Sequence, residues 1–110
     1  GDQLRVLAAE GARVLSRLRE DARLVALCLE GQQLTSPGLA QTLEQWALAG
    51  VSKVDFVIGG SLGLAGEVSR RAALQLSFSP MTFSHQMFRV MLLEQLYRAA
   101  KITAGEPYHK

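Results

Sequence analysis

The run Gly59-Gly60-Ser61-Leu62-Gly63 stands directly after the apolar stretch Val54-Asp55-Phe56-Val57-Ile58. Glycines behind a strand let the backbone approach a ligand without interference from Cβ, and open α/β sheets bind ligands outside their strand ends. The spacing is not G-x-G-x-x-G and no P-loop lysine follows, so a dinucleotide or triphosphate site is a poor match. On spacing alone, a tight turn needing positive φ and a ligand loop both fit. A second candidate is Phe78-Ser79-Pro80-Met81-Thr82-Phe83, again behind a strand-like run. Main-chain groups of such a loop can read the edge of a base while Met81 and Phe83 wall its ring, although an ordinary βα loop packing on the core reads the same way. Toward the carboxyl end, His85, Arg89, Tyr108 and His109 are the groups able to move protons, stabilise charge or stack. His85 is expected at a helix N-terminus, where the dipole disfavours its cationic form.

Other chemistries are excluded by inventory. Two separated histidines and one cysteine make no zinc site. No Ser-His-Asp or paired-carboxylate arrangement follows from the residue order. The single cysteine, Cys28, can form no intrachain disulfide, which fits a reducing compartment. It lies in an apolar run and reads as a small core residue, not a nucleophile.

The elements that must position these residues alternate between the two periodicities. Residues 3–19 predict a helix, with Leu4, Leu7, Ala8, Gly11, Val14, Leu15 and Leu18 inward and Arg5, Arg13, Arg17 and Arg19 outward. Arg23 to Leu29 predicts a strand buried on both faces, broken by Glu30-Gly31-Gln32-Gln33. Ser36 is the expected cap and Pro37 the first turn of a helix running to about Leu48 and stopping at Gly50. The strand Val54–Ile58 is followed by a helix from about Ala65 to Ala73 and a third strand Leu74–Phe78. Ser84 is expected to cap a long helix reaching about Lys101, with Glu94 one turn before Arg98 as an ion pair. Strand alternating with helix predicts an α/β fold, a parallel sheet with right-handed crossovers, in a single domain over residues 1–110.

The chain has 110 residues, 48% of them hydrophobic, and a net charge of +2. So rich an apolar fraction in so small a domain suggests a buried subunit interface. The last helix is apolar on nearly every side, so a second chain is expected against it. The mild positive charge leans toward anionic partners without being a nucleic-acid signature. No segment is long and apolar enough to span a bilayer, the start has no signal-peptide character, and the expected location is the cytoplasm.

Three stretches carry a resemblance. Phe56-Val57-Ile58-Gly59-Gly60-Ser61-Leu62-Gly63-Leu64, Leu76–Val90 with Ser-Pro-Met-Thr-Phe-Ser-His at its centre, and Leu93-Glu94-Gln95-Leu96-Tyr97-Arg98-Ala99 together with Pro107-Tyr108-His109-Lys110 resemble the SPOUT (α/β-knot) methyltransferases that act on N3 of a pseudouridine in large-subunit ribosomal RNA. The likeness covers about residues 23–110. It implies an S-adenosylmethionine-dependent enzyme, a homodimer, and a trefoil knot in the carboxyl-terminal half. It also implies cofactor contacts at Leu27, Gly59, Phe78, Ser79, Pro80, Met81, Thr82 and Phe83. For the reaction so implied, the expected catalytic groups are His109 or His85 as proton acceptor or relay, Arg89 for the developing anion or an RNA phosphate, and Tyr108 for stacking on or hydrogen bonding to the base. Ser84 departs from the family, where proline is common before the histidine. Family members carry a further strand, loop and helix ahead of the position of Gly1, so the sheet here is expected to lack the family's first strand. The alternative expectation is a knotted RNA-binding or dimerisation module without turnover, and beyond it a small-ligand α/β sensor.

Overall fold

The computed structural model describes residues 2–19, 21–59 and 65–107. Its elements are α1 (Asp2–Arg17), β1 (Arg23–Gln33), α2 (Ser36–Leu48), β2 (Val54–Ile58), α3 (Gly66–Arg71), β3 (Leu74–Ser77) and α4 (His85–Thr103). The three strands form one parallel sheet in the order β2-β1-β3, so β1 is central. The crossovers β1 to β2 and β2 to β3 travel in opposite directions along the sheet. A constant crossover hand then places α2 and α3 on opposite faces.

The strand alternation sorts the core accordingly. Val25 and Leu27 of β1 meet Leu39 of α2, Leu76 of β3 and Leu92 of α4 in one buried cluster. Leu24, one residue out of phase, packs on the other face with Ala65 and Val68, against Leu7, Val14, Leu15 and Leu18. These last four sit on the inward stripe read from α1, and the sheet has helices on both faces as expected. At the amino edge Arg19 wraps Asp55: its Nε lies 3.0 Å and its Nη2 2.6 Å from Oδ1, and its backbone N–H donates to Oδ2 at 3.2 Å. That hydrogen-bonded guanidinium holds the Asp55 carboxyl below the ordinary carboxylate range.

Several boundaries differ from expectation. Glu30-Gly31-Gln32-Gln33 does not break β1; the strand continues to Gln33. Leu27 and Gln32 both face Leu76, so residues 28–31 form an irregular excursion before Gln33 pairs with Ser77. Polar side chains hid this because the pairing is made by main chain. Gly31 permits it: a Cβ there would lie 2.7 Å from the backbone of Gln75 and Leu76. Gly31→Ala should therefore destabilise the domain by about 1–3 kcal/mol, the usual cost of overpacking, seen as a lower thermal midpoint. An unchanged midpoint would mean that the two strand ends separate freely.

Thr35, not Ser36, caps α2. Its hydroxyl accepts from Gly38 N at 3.0 Å, while the Ser36 hydroxyl donates to Gln95 Oε1 of α4 at 2.6 Å. α2 ends before Gly50, whose φ of +95° suits glycine. α3 is shorter than expected, because Ala72 is already extended and leads into β3. β3 stops at Ser77, leaving Phe78 at the head of the following loop.

Candidate functional site

The strands deliver their carboxyl ends to one edge of the sheet. Gly59, directly after β2, donates its N–H to the Leu27 carbonyl at 3.1 Å. Its own carbonyl lies 2.7 Å from Nε2 of His85, the first residue of α4. A carbonyl only accepts, so Nε2 is the nitrogen that donates in this contact. Leu27, Gly59 and His85 are thus joined through two hydrogen bonds, although 58 positions separate the first from the last in the chain. Gly59 is not among the glycines with positive φ, so strained turn geometry does not explain it. Gly60, Ser61, Leu62 and Gly63 lie outside the described residues, as do Tyr108 and His109.

The loop between β3 and α4 is held from within. Ser77 Oγ donates to the Ser79 carbonyl at 3.2 Å, and Ser79 Oγ accepts from Met81 N at 3.0 Å. Phe88, on the first turn of α4, sits between Phe78 (centroids 6.3 Å apart, planes tilted 37°) and Phe83 (5.6 Å, edge to face at 86°). These are favourable aromatic geometries. Phe88 was not singled out from the sequence as a site residue; its marks there are an apolar position at the start of the last helix and its place within the Leu76–Val90 stretch. Ser84 caps α4 as expected, accepting from Met87 N at 3.2 Å. Between the anchored rings, Pro80, Met81 and Thr82 are exposed. Arg89 is exposed one turn beyond His85.

Beside this loop opens a cavity of about 310 Å³, lined by Leu34, Leu39, Leu76, Phe78 and Met91 with the Ser36–Gln95 pair as polar lining. It shares Phe78 with the candidate loop. Cys28 is half-buried and desolvation raises its thiol pKa, which argues against a nucleophile. No group of three or more His, Cys, Asp or Glu side chains among the described residues could hold a metal ion. Among those residues no helix is long and apolar enough to cross a membrane.

α4 buries Leu92 and Ala99 against the rest of the chain. Val90, Leu93 and Tyr97 remain 62%, 67% and 53% exposed, with Met87 at 49% one turn earlier. The expected Glu94–Arg98 pair forms at 2.6 Å.

The chain matches, over residues 1–109, the protein family described as "Predicted SPOUT methyltransferase". It is similar to proteins named "Ribosomal RNA large subunit methyltransferase H". The one from Bifidobacterium animalis subsp. lactis is 62% identical over 101 residues, 92% of this chain and 64% of the relative. That of Bifidobacterium adolescentis is 52% identical over 110 residues, 100% of this chain and 69% of the relative. That of Bacillus pumilus is 55% identical over 101 residues, with 92% and 64% covered. The chain therefore spans about two thirds of the length of the curated relatives it matches.

Proposed function

The chain belongs to the SPOUT methyltransferase family, and from that premise we propose that it is a cytoplasmic S-adenosylmethionine-dependent enzyme methylating N3 of a pseudouridine in large-subunit ribosomal RNA. One observation carries the assignment of the site: the Leu27–Gly59–His85 junction sits at the carboxyl edge of the sheet beside the 78–83 loop, where an α/β sheet presents its ligand. The residues present fit the cofactor. The exposed loop residues Pro80, Met81 and Thr82, the half-buried ring of Phe83 and a glycine at position 59 suit a nucleoside that needs polar groups and apolar walls. Leu27, Gly59 and Phe78 to Phe83 would hold it. When bound, it supplies a methyl group on a sulfonium, open to in-line attack.

The chain's own residues have four tasks. The imide nitrogen must lose its proton, and His109 is assigned as acceptor. Tyr108 stacks on the base, and Arg89 stabilises the negative charge that develops on the ring. His85 works as a brace through Nε2, with Nδ1 left to relay a proton. Methyl transfer from labelled S-adenosylmethionine to large-subunit ribosomal RNA tests the assignment. Cofactor and RNA binding without incorporation of label would favour a non-catalytic knotted module.

The reading also takes the chain as one α/β-knot domain with a trefoil knot in its carboxyl-terminal half, acting as a homodimer through α4. The exposed stripe Met87, Val90, Leu93 and Tyr97 is the expected contact. Leu93→Glu should give a folded monomer, because Leu93 is free of the protomer core. Leu92→Glu should instead unfold the chain, since Leu92 is buried and an unpaired buried charge costs several kcal/mol. A Leu93→Glu chain that still sediments as a dimer would move the interface off this stripe.

A further inference from the structure

We propose that the α1–α3 layer is a surface for RNA phosphates, with Arg13, Arg17, Arg70 and Arg71 as its cations. The inference rests on the reading that the substrate is ribosomal RNA. α1 and α3 are the only described helices whose cations are all arginine: Arg5, Arg13 and Arg17 on the first, Arg70 and Arg71 on the second, every one exposed. Guanidinium is the cation best suited to phosphate, through its flat fork of donors. The ion pairs among the described residues engage Arg19, Lys53, Arg98 and Lys101, none of which lies on α1 or α3. The acids on these two helices are Asp2, Glu10 and Glu67.

The two helices form one surface. Gly11 of α1 is buried against Ala65 and Val68 at the head of α3, so closely that a Cβ on it would lie 2.5 Å from the Ala65 methyl. Arg13 and Arg17 follow one turn apart along α1, and Arg70 and Arg71 form the last turn of α3. Beside them a groove of about 300 Å³ runs between the helices, with Leu7, Ala8, Ala65 and Gly66 as its apolar walls and Glu67 and Arg70 as its charged lining. Arg70 folds back over Gly66, its Nη1 3.1 Å from where a Cβ would stand.

The opposite face differs in kind. α4 carries the exposed apolar stripe, and Arg98 and Lys101 near its end are paired with Glu94 and Glu106. A dimer closed through α4 would leave the α1–α3 layer outward on both protomers. Contacts of this kind position a duplex without reading sequence, which suits an enzyme whose specificity comes from the base taken into the site.

The test is a variant with Arg13→Gln, Arg17→Gln, Arg70→Gln and Arg71→Gln together, titrated against a fluorescently labelled RNA hairpin by anisotropy between about 50 and 200 mM salt. All four positions are exposed, so the fold should hold, and its melting curve reports that. Affinity should fall at least ~10-fold at low salt, and the slope of log affinity against log salt should drop by about three. The matching Arg→Lys variant should recover most of both. Unchanged affinity and slope in the glutamine variant would overturn the surface and leave these arginines as partners of their helix dipoles. A wild-type chain with no affinity for the hairpin would overturn it too. Calorimetry with S-adenosylmethionine on the same samples separates the two levels. Loss of RNA binding with cofactor binding intact supports the surface, whereas RNA binding without any cofactor binding sinks the methyltransferase reading and leaves the surface standing.

Discussion

His109→Ala should lower methyl transfer by about 10²–10⁴-fold, the range for a lost general base, while affinity for S-adenosylmethionine stays within a few-fold. Composition gives the opposite expectation, since a short polar terminus after Gly105 reads as a frayed end that can be removed without consequence. The functional assignment makes the tail part of the site. A group that acts mainly in the transition state changes turnover without changing ground-state binding. Tyr108→Phe separates the ring from its hydroxyl: stacking alone predicts near-normal turnover. If His109→Ala methylates at the wild-type rate, the proton must leave by another route. His85 Nδ1 is then the group to examine, because its Nε2 is committed to the Gly59 carbonyl.

Gly59→Val should weaken S-adenosylmethionine binding by about 10–100-fold, the equivalent of roughly 1–3 kcal/mol of overpacking. The melting temperature should move far less. The separation of these readouts follows from the backbone. Gly59 does not need positive φ, so valine introduces no left-handed strain. Its N–H and carbonyl can still meet Leu27 and His85, and the expected loss comes from a side chain competing with the ligand for space. Calorimetry beside a thermal melt decides the matter. A variant that melts normally and binds the cofactor normally would reduce Gly59 to a connector.

Much of the fold was legible because burial writes periodicity into the chain. Leu7, Val14, Leu15 and Leu18 mark α1, and the Thr35-Ser36-Pro37 triplet marks the start of α2 to within one residue. Choosing between the two hydroxyls was beyond the sequence, since either serves as a cap. The choice was made by Gln95, 59 positions away, which takes the Ser36 hydroxyl. The extension of β1 through Glu30-Gly31-Gln32-Gln33 was illegible for a different reason. It is held by main-chain pairing with β3, and main-chain pairing leaves no side-chain signature. The two candidate loops were visible as small and apolar residues behind strands. The His85 contact with the Gly59 carbonyl and the packing of Phe88 between Phe78 and Phe83 were not, because nothing in local spacing reports which distant element a side chain will meet.

The central place of β1 has a consequence for how the protein acquires its site. Arg23 pairs with Val54, and Val25 with Leu74, so β1 finds its neighbours 31 and 49 positions later in the chain. Such pairings close long loops before they return any contact energy, and chains dominated by them fold slowly. Leu27 faces Ile58 on one side and Leu76 on the other, so its surroundings are complete only when both flanks have docked. A nascent chain that has reached β2 holds two of the three described strands and an open β1 edge, with nothing yet of the loop that follows β3. The ligand pocket is thus among the last features of the molecule to exist. A ligand that recognises it stabilises the finished domain alone, and gives no help to the intermediates that precede it.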